Sequence, residues 1–309
     1  MEETFHRKTV SFYRYVNIEN PSQKRDDLYK MWSDLNCFGR IYVASEGINA
    51  QMSVPEHNWD EFVKQLYADQ NFTNVPFKMA VDNNGKSFYK LIVKVRDKIV
   101  ADGINDPNFN PSNTGHYLNA IEFNKAIEDP ETIVVDMRNH YESEVGHFDR
   151  AFCPDADTFR EELPLVVEHL KGKEDKKVIM YCTGGIRCEK ATAFLLENGF
   201  KEVYHLHGGI IEYGKQTGGK DFEGKCYVFD ERITVDVNEV NPTLISHCLR
   251  CGTLSARMVN CANPECNNHF AMCEECGWKY DGTCSNSCQQ HPRKRTYDGS
   301  GYYVKGKVL

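Results

Sequence analysis

The sequence predicts a multidomain protein of mixed α/β and α+β class: an α+β N-terminal domain, a parallel α/β centre and a small cysteine-rich C-terminal domain. Three observations predict it. Strand-like and helix-like runs alternate through residues 1–100; in the middle, apolar strands lead into glycine-containing turns and helices; and eight of the 13 cysteines fall between Cys248 and Cys288. A chain of 309 residues is long enough for two or three separate cores. The net charge of −8 argues against a protein that coats nucleic acid indiscriminately, but it leaves room for a local basic face. No stretch approaches the length of a membrane span, and Met1-Glu2-Glu3-Thr4 is unlike a secretory signal, so a cytoplasmic protein without a membrane partner is expected.

In the first domain, residues 11–16 read as a strand and 22–35 as a helix. Residues 40–44 form a second strand, followed by the turn Ser45-Glu46-Gly47-Ile48-Asn49 and an extended run over 50–54. Pro55 opens a helix through residue 67. Residues 77–79 and a long strand over 89–100 complete an α+β sandwich of ferredoxin-like type. Residues 101–116, rich in Asn, Asp, Pro and Gly without hydrophobic period, read as a linker.

Residues 117–224 carry the βα alternation of a parallel sheet. The buried-type strands are 132–136, 177–181 and 202–206, the last ending at His207-Gly208-Gly209; a helix over 189–198 is stopped by Gly199. Residues 225–292 form the cysteine-rich region, and 293–309 a basic, aromatic tail without periodic pattern.

The strand over 177–181 runs directly into Cys182-Thr183-Gly184-Gly185-Ile186-Arg187. A loop at the carboxyl end of a parallel strand can turn backbone N–H groups inward as an anion nest, and the two glycines permit the angles such a turn needs. The following helix N-terminus and the charge of Arg187 favour thiolate over thiol, so Cys182 is the candidate nucleophile. Cys188 is either a resolving thiol or a small packed residue. Asp136 and Arg138 are candidates for an ion pair that orients the loop, and His147 reads as a packing residue rather than a general base.

Asp136-Met137-Arg138, Tyr141-Glu142, Gly146-His147-Phe148 and Ala151 resemble the first rhodanese signature, and Cys182 to Arg187 resembles the rhodanese active loop. The central domain is therefore expected to be rhodanese-like. Six residues from Cys182 through Arg187 match the sulfur-sized loop of rhodaneses, where related phosphatases use seven. The segments 45–50, 180–191 and 228–232 extend the likeness to the rhodanese-domain tRNA uridine(34) hydroxylases, from the N-terminal domain to about residue 235. The tail departs, since that family usually shows fewer cysteines there. The resemblance implies 5-hydroxyuridine formation at the tRNA wobble position, with tRNA as partner, molecular oxygen as co-substrate and Cys182 as the essential cysteine. No flavin or haem motif is apparent. Addition of the Cys182 thiolate to C6 of uracil and passage through a Cys182 persulfide both remain open. The alternative activity is a rhodanese-type sulfurtransferase that takes sulfur from thiosulfate or a protein persulfide.

Cys248-x2-Cys251, Cys261-x4-Cys266, Cys273-x2-Cys276 and Cys284-x3-Cys288 supply eight thiolates, enough for two structural zinc ions. Pairing can run in sequence or alternate as a cross-brace, and His247, His269 or His291 can replace a cysteine. The segment is short of large apolar residues, so metal would supply much of its folding energy. For tRNA, Lys90, Lys94, Arg96 and Lys98 would line one face of the predicted strand over 89–100. Arg293, Lys294 and Arg295, with Tyr297, Tyr302 and Tyr303, offer charges for phosphates and rings for bases.

Overall fold

The computed structural model describes residues 6–80 and 87–303. The N-terminal domain is built from β1 (Arg7–Tyr15), α1 (Pro21–Asp34), β2 (Phe38–Ala44), β3 (Gly47–Pro55), α2 (Trp59–Ala68), β4 (Lys78–Met79) and β5 (Leu91–Val95). Its sheet has the order β4-β1-β3-β2-β5. The first four strands pair antiparallel in the ferredoxin-like order, and β5 adds a fifth strand parallel to β2. Asn20 caps α1 by accepting from the Gln23 N–H at 3.1 Å, with Pro21 in the first turn. Both helices pack on one face of the sheet, where Val10, Phe12, Ala50, Met52, Trp32 and Phe62 are buried together. Alternation along the strands turns Ser11, Tyr13, Asn49 and Gln51 to the other face, away from α1 and α2.

The strand expected over 89–100 is shorter, spanning only Leu91–Val95. Of the four basic residues assigned to it, only Lys94 lies in the strand. Beyond it the chain turns away, and Lys98 donates to Asp102 at 2.5 Å. The stretch read as a linker is anchored, because Asp102 is fully buried and accepts from Lys190.

The central domain comprises β6 (His116–Leu118), α3 (Ala120–Ile127), β7 (Ile133–Asp136), α4 (His140–Val145), β8 (Gly146–Phe148), α5 (Phe159–Leu170), β9 (Lys177–Tyr181), α6 (Ile186–Glu197), β10 (Glu202–Leu206), α7 (Gly209–Thr217) and β11 (Phe222–Gly224). The parallel sheet runs β6-β10-β9-β7. Successive residues of β9 feed opposite cores. Val178 and Met180 pack with α5 and α6, whereas Ile179 and Tyr181 pack with α3 and α7. This is the double-sided burial expected of a parallel strand. Helix α6 begins at Ile186, three residues before the predicted start, so it grows directly out of the cysteine loop. Gly199 ends it at φ +89.

The short pair β12 (Cys226–Tyr227) and β13 (Thr234–Val235) packs Cys226, Val228 and Val235 into the central core. The cysteine-rich unit follows, with β14 (Met258–Asn260) paired to β15 (His269–Ala271), then α8 (Glu274–Lys279) and α9 (Asn286–Gln289). The tail is fastened to this unit: Tyr297 is buried, and the Asn260 N–H donates to the Gly301 carbonyl at 2.8 Å. No helix of the described residues is long and apolar enough to cross a membrane.

Lys190 of α6 joins the first two domains. Although fully buried, it donates to both carboxylate oxygens of Glu46 at 2.8 Å and to Asp102. A buried ammonium with two carboxylates is costly to break, because removing one partner strands the others without water. Glu46 sits in the β2–β3 turn, where Gly47 has φ +143 and a Cβ would lie 2.0 Å from the Arg14 carbonyl oxygen. The clamp turns the sheet face that carries Tyr13, Asn49 and Gln51 toward the end of β9.

Candidate active site

Cys182 follows the last residue of β9 and is fully buried, but its sulfur lies in a polar nest. The Gly185 N–H donates to Sγ at 3.0 Å. Burial alone would raise the thiol; a hydrogen bond from the Cys188 thiol, the Arg187 charge and the N–H groups of Cys188 and Arg187 overcome it, bringing Cys182 down to about 5. Cys188 moves the opposite way: burial and the adjacent Cys182 push it well above the usual thiol range. It is therefore the proton-holding partner of a thiolate. Of the loop glycines, only Gly185 adopts a left-handed angle (φ +95); a Cβ at Gly184 would meet open space.

Arg187 reaches back across the loop to Glu142 in a two-pronged pair of 2.6 and 3.0 Å, with Thr183 Oγ1 3.4 Å away. Glu142 is fully buried. The planar guanidinium is thus fixed beside the sulfur by a carboxylate that gains its own partner. Behind them lies Glu162, also buried, whose two oxygens have no hydrogen-bond partner among the described residues. Burial pushes its carboxyl up to about 8, with Arg187 opposing and Glu142 assisting the rise. Asp136 and Arg138 do form a buried pair, at 2.8 and 2.6 Å, but Arg138 donates onward to the Gly146 carbonyl and not to the cysteine loop. His147 hydrogen-bonds the Ser143 carbonyl oxygen through Nδ1 at 2.8 Å, in keeping with a packing role.

The N-terminal domain supplies the other wall. Lys78 donates to the Gly184 carbonyl, and its ammonium lies 4.0 Å from the centre of the Tyr13 ring. Burial lowers Lys78 to about 8, and the charges of Cys182 and Glu189 oppose that fall. Tyr13 donates to Glu189 at 2.9 Å and Tyr15 to the Ile186 carbonyl at 3.2 Å. Between the walls lies a cavity of about 860 Å³, lined by Cys182, Thr183, Gly184, Ile186 and Arg187 on one side and by Tyr13, Tyr42, Asn49, Gln51 and Lys78 on the other. Arg40, Arg96, Arg160 and Arg232 stand around it, and Phe229, an exposed ring 6.0 Å from the Arg187 guanidinium, closes one edge. A volume of this order holds a nucleotide-sized ligand.

Of the basic residues read from the sequence, Arg96 and Lys98 line this cavity, with Arg96 5.3 Å from the Tyr42 ring centre; Lys90 and Lys94 are exposed outside it. The tail residues have partners within the fold. Arg293 pairs with Glu265, Lys294 with Asp281, and Arg295 with Asn267 at 2.9 Å. Tyr297 is buried, and Tyr302 packs beside Tyr141 and Tyr227, so neither offers a free ring. Tyr13, Lys78, Glu142 and Glu162 were not singled out as site residues. Glu142 stood in the signature 136–151, and that was the available signal; a lone lysine before a loop carries none.

The eight C-terminal cysteines gather as two sets, Cys248, Cys251, Cys273 and Cys276, and Cys261, Cys266, Cys284 and Cys288, each with all four sulfurs within 4.8 Å of one another. The pairs therefore alternate, as in a cross-brace. Sulfur separations of 3.7 Å (Cys251–Cys273), 3.6 Å (Cys266–Cys284) and 3.7 Å (Cys284–Cys288) are close to the edge of a tetrahedron with metal–sulfur bonds of about 2.3 Å. The donor set fits a metal ion at each site. No histidine joins either set among the described residues; His269 instead bonds Tyr227 at 3.0 Å.

A parallel sheet whose central strand delivers a cysteine into a six-residue, arginine-closed amide loop defines a rhodanese-type thiolate site. The family models agree, with a UPF0176 acylphosphatase like domain over residues 7–99, a rhodanese-like domain over 119–216 and a rhodanase C-terminal domain over 223–289. A tRNA uridine(34) hydroxylase of Photorhabdus laumondii is 49% identical, the match covering 95% of this chain and 84% of the relative. One from Leptospira interrogans is 52% identical, covering 93% and 79%. The chain belongs to the tRNA uridine(34) hydroxylase family. The likeness does not stop near residue 235, as the sequence suggested, but continues through the cysteine-rich region.

Proposed function

We propose that this protein hydroxylates uridine 34 of tRNA to 5-hydroxyuridine, with Cys182 as nucleophile and molecular oxygen as co-substrate. The observation that carries the reading is a thiolate held at about 5, facing a nucleotide-sized cavity, in a chain that belongs to this family. Addition of the thiolate to C6 of the ring moves the electron pair of the C5–C6 bond onto C5. C5 attacks oxygen, a two-electron donor of the dithiol class reduces the hydroperoxide to the hydroxyl with release of water, and loss of the C5 proton expels the Cys182 sulfur. The sum is uridine, oxygen, two electrons and two protons giving 5-hydroxyuridine and water.

In this scheme Arg187 and the loop amides stabilise the thiolate and the oxygen anion that forms on the ring. Thr183, Gly184, Gly185 and Ile186 shape the nest, Cys188 donates to the sulfur, and Lys78 holds the loop against the sheet. Asp136 and Arg138 brace the end of β7 just before α4, the helix from which Glu142 projects. Residues 1–100 form the substrate wall, 117–224 carry the reaction, and 225–292 hold two structural zinc ions. Arg40 and Arg96 at the cavity receive phosphates of the anticodon loop, the exposed Lys90 and Lys94 extend the contact beyond it, and the cytoplasm is the compartment. The test is incubation of purified protein with tRNA under isotopically heavy oxygen gas and a dithiol, followed by nucleoside mass spectrometry. Heavy oxygen in the base at position 34 supports the reading; unlabelled product or unmodified uridine with a folded, zinc-loaded protein sinks it.

A further inference from the structure

Asn49 and Gln51 are successive outward-facing residues of β3, and both line the cavity. Asn49 Nδ2 donates to the Ile99 carbonyl at 3.2 Å, and Gln51 Nε2 donates to Asn49 Oδ1 at 3.0 Å. This chain fixes which way round both carboxamides sit. Turning Asn49 over would set its oxygen against the Ile99 oxygen, and turning Gln51 over would set two side-chain oxygens together. What remains on Gln51 is one acceptor, Oε1, and one N–H, neither with a partner among the described residues.

The pair stands at a telling place in the sheet. Asn49 lies opposite Tyr13 on β1 and Tyr42 on β2, and Gln51 lies opposite Ser11 and Arg40. Tyr13 is the residue whose hydroxyl would lie 3.1 Å from a Cβ on Gly185. The amides are therefore one strand away from the contact with the cysteine loop, about 5 Å between cross-strand neighbours. Across a uracil ring N3 lies opposite C6. A ring that points N3 at the β3 wall thus points C6 at the wall that carries Cys182.

We infer that Gln51 is the residue that selects uracil: its Oε1 accepts from the N3–H, its free N–H donates to a neighbouring ring carbonyl, and Asn49 with the Ile99 carbonyl locks it in that orientation. Cytosine has an acceptor at N3 and meets the Gln51 oxygen with a lone pair. An unrestrained glutamine would turn over to accommodate it; this one is held. The inference rests on the uridine 34 reading and deepens it by naming how the base is told from cytosine.

The experiment uses the full-length protein without oxygen, so that binding is read apart from reaction. Fluorescence anisotropy compares two anticodon stem–loop RNAs that differ only in U or C at position 34. The wild type binds the U34 RNA about tenfold or more tightly than the C34 RNA. Gln51→Leu reduces that preference to less than about twofold. The isosteric Gln51→Glu, which keeps the acceptor for N3–H but sets a second oxygen against the ring carbonyl, weakens U34 binding and narrows the preference to less than about threefold, and Asn49→Leu improves C34 binding by freeing Gln51 to turn. Melting curves identify a variant that has failed to fold, in which case the isosteric one decides. If wild type hydroxylates U34 yet shows no preference, or if folded Gln51→Leu and Gln51→Glu keep the wild-type preference, the inference is overturned. If wild type neither hydroxylates nor binds the U34 RNA, the parent reading falls instead.

Discussion

The two walls of the cavity are made in different ways. On the central-domain side the chemistry comes from consecutive residues, Cys182 to Arg187, held by backbone amides at the end of one strand. On the N-terminal side it comes from every second residue of neighbouring strands, the residues between being buried under α1 and α2. A loop of amides, joined by the Cys188 thiol and the Arg187 charge, creates a charged sulfur within one short segment, whereas a sheet face displays side chains from several strands in rows. In the proposed reaction the reacting atom belongs to the first kind of structure and recognition to the second.

The largest expected effect falls on the loop. Cys182→Ala lowers hydroxylation by about a thousandfold or more, measured as 5-hydroxyuridine per tRNA, while the melting temperature stays near wild type. Next comes the pair behind it. Arg187→Met leaves the buried Glu142 carboxylate unpaired and destabilises the protein by about 3–5 kcal/mol in a denaturant titration. On the opposite wall, Lys78→Met lowers activity by about ten- to a hundredfold with Arg in place of Met partly restoring it, because its contact with the Gly184 carbonyl joins the walls without building the nest. If Lys78→Met is as inactive as Cys182→Ala, the sheet tunes the sulfur and the contrast between the walls is broken.

Two pH experiments sharpen the contrast. Iodoacetamide labelling of Cys182 rises through pH about 5 and then levels, and Cys188→Ala moves that inflection upward toward the ordinary thiol value by removing a hydrogen bond to the sulfur. Glu162 behaves oppositely to a paired carboxylate, since its folded value is raised to about 8. It stabilises the fold below the unfolded carboxyl value, and that stability is lost as pH rises from about 4.3 through 8. Glu162→Gln therefore gains on wild type across this window, as urea midpoints would record. The smallest effect is expected at Arg293, an exposed partner of Glu265, where Arg293→Ala changes tRNA affinity less than about twofold.

The C-terminal cysteines show a third fate for sulfur. Grouped four together with other sulfurs, they suit metal, and metal analysis should return two zinc ions per chain. Replacing Cys251 by Ser removes one ion, and replacing Cys266 removes the other.

What could be read from the sequence follows the same division. The cysteine loop was legible because a strand, a cysteine, glycines and an arginine are contiguous, and the metal-suited cysteine sets because close pairing of cysteines implies their geometry. The cross-brace was not legible, since alternation depends on β14 and β15 bringing distant pairs together. Nor was the opposite wall: Tyr13, Asn49, Gln51 and Lys78 lie far apart in sequence and meet only through sheet order β4-β1-β3. The basic strand over 89–100 failed because even spacing implies one face only while the chain stays extended, and it leaves the sheet after Val95. The place of the basic tail in the fold was not legible, because its charges meet acids, Glu265 and Asp281, that spacing alone does not reveal.

The most direct test of the thiolate account is incubation of the protein in air, with the dithiol donor, with an anticodon stem–loop bearing 5-fluorouridine at position 34, followed by intact-mass and peptide mass spectrometry. A covalent RNA adduct on the peptide containing Cys182, absent in Cys182→Ser, is the predicted result. A persulfide mass on Cys182 in the active protein with no RNA adduct, or an adduct on any other residue, would contradict it.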